Sequence, residues 1–174
     1  MRGAGLAVAV VLATMVLADC SGTSHGTTKS GGRTTSVTSH LSYEQASAQV
    51  REYAQKSIGA FPAGASLTFR EENSAACSNS DDPAPSTPVN VASYYWVDGL
   101  GTSGNEKYLD AFVSYWKAQG WKLKRDDRPG THLVLMENAA GFDVILQLTA
   151  DGSRASVTGS SPCVPPKQPD APTS

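Results

Sequence analysis

The residue types that most readily do chemistry are sparse in this chain and poorly spaced for it. Of its three histidines, His25 and His40 fall in a Ser/Thr/Gly-rich stretch, and His132 stands alone in a segment of strand character. None has a second ligand at the spacing a zinc site requires. Paired carboxylates occur at Glu71-Glu72, Asp81-Asp82 and Asp126-Asp127. A glycosidase pair needs both groups in one site, yet adjacent strand residues point to opposite faces. Asp126-Asp127 precedes a Pro-Gly turn, where Asp is expected for its bonds to nearby backbone. No stretch follows the calcium-loop pattern, and there is neither a Gly-rich phosphate loop nor a nucleophile elbow. Ser160-Ser161 has no base implied beside it. These residues therefore predict no catalytic constellation, no metal site and no cofactor.

The aromatic residues are the one suggestive set. Tyr94, Tyr95, Trp96, Tyr108, Tyr115, Trp116 and Trp121 gather around one expected strand and one expected helix. Alternation places Tyr94 and Trp96 on one face and Tyr95 on the other. One subset packs under the helix. The other, with Tyr94, Trp96 and Trp121 as its candidates, is available to stack on a glycan or cover a partner. Core and edge packing is the ordinary alternative.

The cysteines carry the covalent chemistry. Arg2 is the single positive charge near the start, and Gly5 to Ala18 form an uncharged apolar run ending in Leu17-Ala18-Asp19-Cys20. The run is short for a bilayer span and fits the core of an export signal. Its end resembles the bacterial lipobox, in which the Cys receives a diacylglycerol on sulfur and becomes the mature N-terminus. Asp19 stands where that motif usually has Gly, Ala or Ser. The alternative is cleavage after Ala18 and secretion without an anchor. With Cys20 lipidated, Cys77 and Cys163 remain as one pair in an oxidising compartment. Such a bridge contributes at most about 4–5 kcal/mol by loop entropy.

These groups need a scaffold, and the chain predicts one domain. Residues 1–19 read as the signal peptide. Residues 20–40 read as a Ser/Thr/Gly tether with one aliphatic side chain, Val37, too little to order it; as a flexible coil it spans roughly 25 Å. Residues 41–164 form the domain, and 165–174 a loose Pro-rich tail. Ser42 and Gln45 make a capping box, and Tyr43, Ala46, Val50, Tyr53, Ala54 and Ile58 follow helical spacing to Gly59. A strand through Leu67 and Phe69 follows, then a loop over 73–88 anchored by Cys77, then a strand over 89–97. Ser103 and Glu106 propose a second capping box, ahead of a helix carrying Leu109, Phe112, Val113 and Trp116. Gly120 ends that helix in a left-handed conformation with Trp121 packing back. Four short strands separated by turns complete the chain, the last turn being Asp151-Gly152. The expected fold is α+β: a single antiparallel sheet of about five to six strands with two helices packed on one face, in the order α-β-β-α-β-β-β-β.

Net charge is −2 for the chain. Within 41–164, ten Lys and Arg against fourteen Asp and Glu leave −4. A domain with that balance offers no basic stripe for nucleic acid and no strong pull toward an anionic bilayer; the membrane is reached through the anchor.

A lipobox-like end, a Ser/Thr tether, a helix ending Tyr-Trp-Lys-Ala-Gln-Gly-Trp at 115–121, a short meander and a closing Ser-Pro-Cys at 161–163 together resemble small lipoproteins of actinobacteria that have no assigned reaction. The resemblance implies an exported protein on the extracytoplasmic face of the cell membrane. Three functions remain in view: a non-enzymatic interaction module at the envelope, a binder of a small apolar or glycan ligand, and, last, an envelope hydrolase. A flat exposed aromatic face favours the first. An apolar pocket between helices and sheet favours the second. A buried carboxylate pair in a cleft favours the third.

Overall fold

A computed structural model describes residues 40–78 and 82–168. The signal peptide, Cys20, the tether through residue 39 and the tail from residue 169 lie outside the described residues.

The first helix, α1 (Tyr43–Lys56), starts where the sequence predicts. Ser42 Oγ accepts from Gln45 N–H at 3.2 Å, and Ser42 N–H donates to Gln45 Oε1 at 2.9 Å. Its buried stripe is Ala46, Ser47, Val50 and Ala54, and the remaining residues to Ala60 tighten into a 3₁₀ turn. Strand β1 (Ser66–Ala76) is longer than expected. Residues 73–76, which read as loop, are held in the ladder by pairing with 89–92 of β2 (Val89–Asp98). Polar Glu72, Asn73 and Ser74 hid that strand because β1 lies at a sheet edge and buries little.

Helix α2 (Lys107–Ala118) buries Leu109, Phe112, Val113 and Trp116. The proposed Ser103/Glu106 box does not form: the cap is Glu106 in helical conformation, with no side-chain capping bond. Instead, buried Asn105 donates to Gly101 O and Gly152 O, both at 2.8 Å, tying the helix entry to a distant hairpin. At the other end Gly120 has φ +82°, and Trp121 N–H donates back to Trp116 O at 3.0 Å, as the sequence indicates.

Strands β3 (Lys122–Asp127), β4 (Leu133–Glu137), β5 (Asp143–Leu148) and β6 (Ala155–Ser160) complete one six-stranded antiparallel sheet, ordered β1-β2-β6-β5-β4-β3. The fold is α+β, with the element order read from the sequence. Helix α1 lies over β2 and β6, and α2 over β3, β4 and β5. The approach of α1 is close: a Cβ on Gly159 of β6 would stand 2.5 Å from Val50 O. The main core fills the space between helices and sheet, and a smaller cluster of Ala46, Val91 and Val164 lies apart from it. The main core contains Val50, Leu109, Phe112, Trp116, Tyr95, Val134, Met136, Leu146 and Val157. Each large apolar side chain fully buried there stabilises the fold by about 1.5–3 kcal/mol relative to exposure.

Trp121 belongs to this core and is not a surface candidate. It is 7% exposed and packs with Trp116 at 4.4 Å and with Tyr53 at 4.9 Å between ring centroids. The left-handed turn at Gly120 folds it back under the helix. His132 also differs from expectation: it precedes β4 at φ 49° rather than lying in a strand, and its Nδ1 sits 2.8 Å from Glu106 Oε1.

Candidate functional site

Because side chains alternate, the sheet that seals its core on one side shows a second face on the other. Register defines that face. One cross-strand row runs Thr68, Trp96, Ser156, Gln147, Leu133. The next runs Glu71, Tyr94, Thr158, Ile145, Leu135. A third runs Asn73, Ala92, Ser160, Asp143, Glu137. Trp96, Tyr94, Ile145, Leu135 and Leu133 are all half-buried. Both helices lie on the opposite side. The expected split between Tyr95, 4% exposed in the core, and Tyr94 with Trp96 outside it is present.

At one end of this face the rings meet two guanidinium groups. Arg154 lies 4.0 Å and Arg70 5.2 Å from the Trp96 ring centroid. Arg70 gets there through a bulge: the β1–β2 register shifts between Phe69 and Glu71, leaving Arg70 as the extra residue, and bulges re-aim side chains in this way. Arg70, Glu71, Tyr94, Trp96 and Ser156 line a depression of about 150 Å³. Among the described residues no carboxylate lies within 4.0 Å of either guanidinium. Glu71, next to Arg70 in sequence, lines the depression with it, and two other nearby acids bond to hydroxyls. Asp151 accepts from Thr149 Oγ1 at 2.6 Å and from Ser153 N–H at 3.1 Å, bonds that hold its carboxyl down at about 2. Asp98 accepts from Thr68 Oγ1 at 2.6 Å. The indole Nε1–H of Trp96 is shielded from water and donates to no group among the described residues.

At the other end is a carboxylate pair. Glu137 and Asp143 are direct cross-strand partners on β4 and β5. With Lys124, Gly141, Ser161, Pro162 and Cys163 they line a cleft of about 220 Å³. Burial pushes the Asp143 carboxyl up to about 6, against the pull of Lys124. A raised acid beside a second carboxylate superficially meets the demand of a glycosidase. Its geometry serves another purpose: Lys124 Nζ hydrogen-bonds Glu137 Oε2 and lies 3.7 Å from Asp143 Oδ1. The ammonium thus occupies the place a scissile oxygen and its water would need.

A third polar cluster sits on the helix side. Glu72 accepts from Ser47 Oγ and Ser93 Oγ, each at 2.7 Å, and meets Arg51 Nε at 3.1 Å. Its partners satisfy one another, and it fastens α1 to β1 and β2. Among the described residues no group of three or more His, Cys, Asp or Glu is placed to hold a metal ion. Nor is any described helix long and apolar enough to cross a membrane. Cys77 and Cys163 are bonded, with their Cα atoms 6.2 Å apart, as cysteine counting predicts.

Sequence reasoning found Tyr94 and Trp96 but missed Arg70 and Arg154. Eighty-four positions separate the two, and only the β1–β2–β6 pairing brings them to one ring.

One antiparallel sheet with two helices on a single face defines the class: an α+β domain whose other sheet face is covered by no helix among the described residues. No family model and no curated protein matches the chain. Among solved structures it is similar to the crystal structure of a DUF4853 family protein from Actinomyces odontolyticus ATCC 17982, with TM-score 0.50, 20% identity, and 74% of this chain and 72% of that chain covered. At that identity the likeness bears on the fold alone. Its source is an actinobacterium, the group whose lipoproteins the sequence resembles.

Proposed function

We propose that this chain is a non-enzymatic interaction module at the cell envelope. In this reading Cys20 carries the lipid, residues 20–40 are the tether, and the open sheet face meets a glycan of the wall. The observation that carries it is the pairing of one sealed sheet face with one open face bearing half-buried rings and aliphatic side chains. Aromatic rings beside polar hydrogen-bonding groups stack on sugar rings while the rim bonds to hydroxyls. A purely apolar ligand fits less well, because the depression at Trp96 shares its walls with the Arg70 guanidinium, the Glu71 carboxylate and the Ser156 hydroxyl, and Arg154 lies over the same ring. The hydrolase reading is disfavoured by Lys124, whose ammonium is held by both carboxylates of the pair.

The test has two arms. Cells producing the wild type and the Cys20→Ser variant are fractionated; the wild type is expected with the membrane and the variant in the medium. The purified full chain is then sedimented with insoluble wall glycan. Co-sedimentation that drops at least fivefold in Trp96→Leu, at unchanged thermal midpoint, supports the reading. Absence of wild-type co-sedimentation, or an unaffected Trp96→Leu, refutes it.

A further inference from the structure

We infer that the surface around Trp96, where Arg70 lines a depression and Arg154 lies over the ring, binds an anionic group, a carboxylate or a phosphate, carried on a sugar chain. The inference rests on the glycan reading above and narrows it. Two like charges converge on one ring, at 4.0 Å and 5.2 Å from its centroid. The ring quadrupole offsets part of their repulsion, but a charged ligand offsets more. A guanidinium lying over a ring spends its face on the ring and leaves its N–H edge for a bidentate oxyanion.

Two of the acids near these cations are turned toward hydroxyl partners and not toward a guanidinium. Asp151 is held by Thr149 and Ser153, and Asp98 by Thr68. Glu71 lines the depression beside Arg70 but forms no ion pair with either arginine; with Arg154 over the Trp96 ring, these three charges sum to one net positive. The contrast with the other end of the face is sharp, since there Lys124 already serves both acids. Further polar groups surround the cations. Ser156 and Glu71 line the same depression. An anion on a sugar uses the set together: oxyanion on the guanidinium edges, hydroxyls on Ser156 and Glu71, ring face on Tyr94. A stripe for a nucleic-acid backbone is a different object, and a domain of net −4 does not present one.

The experiment is a fluorescence titration of the full chain, with Trp96→Phe as the baseline that separates the Trp96 signal from buried Trp116 and Trp121. The probes are oligogalacturonate for the carboxylate, phosphorylated mannan oligosaccharide for the phosphate, neutral maltohexaose, and phosphatidylglycerol vesicles. Binding of at least one anionic oligosaccharide is expected, weakening with added salt. Arg70→Gln and Arg154→Gln should each lower affinity at least tenfold, and Arg125→Gln, whose arginine is paired with Asp127, should leave it unchanged. Both key arginines are solvent-exposed, so their variants fold; thermal melts check this. The inference is overturned if neither anionic probe binds, if maltohexaose binds equally well, if only vesicles bind, or if neither glutamine variant changes affinity. Wall co-sedimentation that survives both glutamine variants but is lost in Trp96→Leu leaves the glycan reading standing and removes this one.

Discussion

At the scale of single residues, the group most out of balance is Asp143. Its carboxyl sits near 6 because burial penalises its charge, with Lys124 pulling the other way and Glu137 adding to the penalty. An unperturbed Asp titrates near 3.9. Between those values the folded chain holds the proton more tightly than the unfolded chain. The contribution of Asp143 therefore favours folding in acid, falls as pH rises from about 4 to about 6, and is level above that. The cost of ionising it in the fold is on the order of 2–3 kcal/mol, an upper figure because a fifth of the side chain meets solvent. Asp143→Asn is expected to be more stable than the wild type at pH 7 by about 1–2 kcal/mol, with the gap closing by pH 4.5. Urea denaturation at pH 4.5, 6 and 7.5 measures it. A gap that widens toward acid contradicts the account. Several surface acids move oppositely, Asp126 through Arg128 and Asp127 through Thr131 and Arg125, so the comparison must be between the two proteins and not read from the wild type alone. None of this was legible in the sequence. Asp143 reads there as the polar side of an alternating strand, and its burial depends on Gly141 and Pro162 closing the cleft beside it.

Elements declare themselves in sequence to the degree that their signals are local. The Ser42 cap, the Gly120 stop and the Asp151-Gly152 turn each lie within a few residues of what they control, and each is where it was read. The end of β1 is not local. Its residues 73–76 carry no alternation and are strand only because β2 supplies partners. That changes what the disulfide orders. Cys77–Cys163 spans 86 positions, and the chain-entropy value of about 4–5 kcal/mol is an upper bound. Since β1 is held by its ladder through Ala76, the bridge secures the segment after it. There the backbone is tied by Cys77 N–H to Pro88 O at 2.9 Å and by the Val89–Val164 bridge. Reduction, or the double variant Cys77→Ala with Cys163→Ala, should lower stability by a few kcal/mol. Hydrogen exchange should quicken first in 82–88 and 161–168, with 66–76 still protected. Equal loss of protection across β1 would show that the ladder depends on the bridge after all.

For the molecule as a whole, the decisive property is one-sidedness: the same strands that seal the core present a second face to solvent. Adjacent residues make this testable. Val134 and Leu146 are cross-strand partners on the helix side, each 0% exposed. Leu135 and Ile145, one position along, are cross-strand partners on the open face and half-buried. Sequence ranks the β5 pair, because Ile145 alternates in step with Asp143 and Gln147, but it cannot rank the β4 pair. Leu133-Val134-Leu135-Met136 has no polar position to mark a face, and the assignment arises only when α2 docks. A lysine at Val134 would carry a charge into the core, a change that costs several kcal/mol and usually unfolds a domain of this size. A lysine at Leu135 or Ile145 keeps its ammonium in water and lays its stem along the sheet, for a cost within about 1 kcal/mol. Thermal melts of Val134→Lys, Leu135→Lys and Ile145→Lys in the full chain should therefore separate sharply, with only the first losing its cooperative transition. If Leu135→Lys is as damaging as Val134→Lys, something covers that face in the folded protein, and the surface assigned to glycan is already occupied.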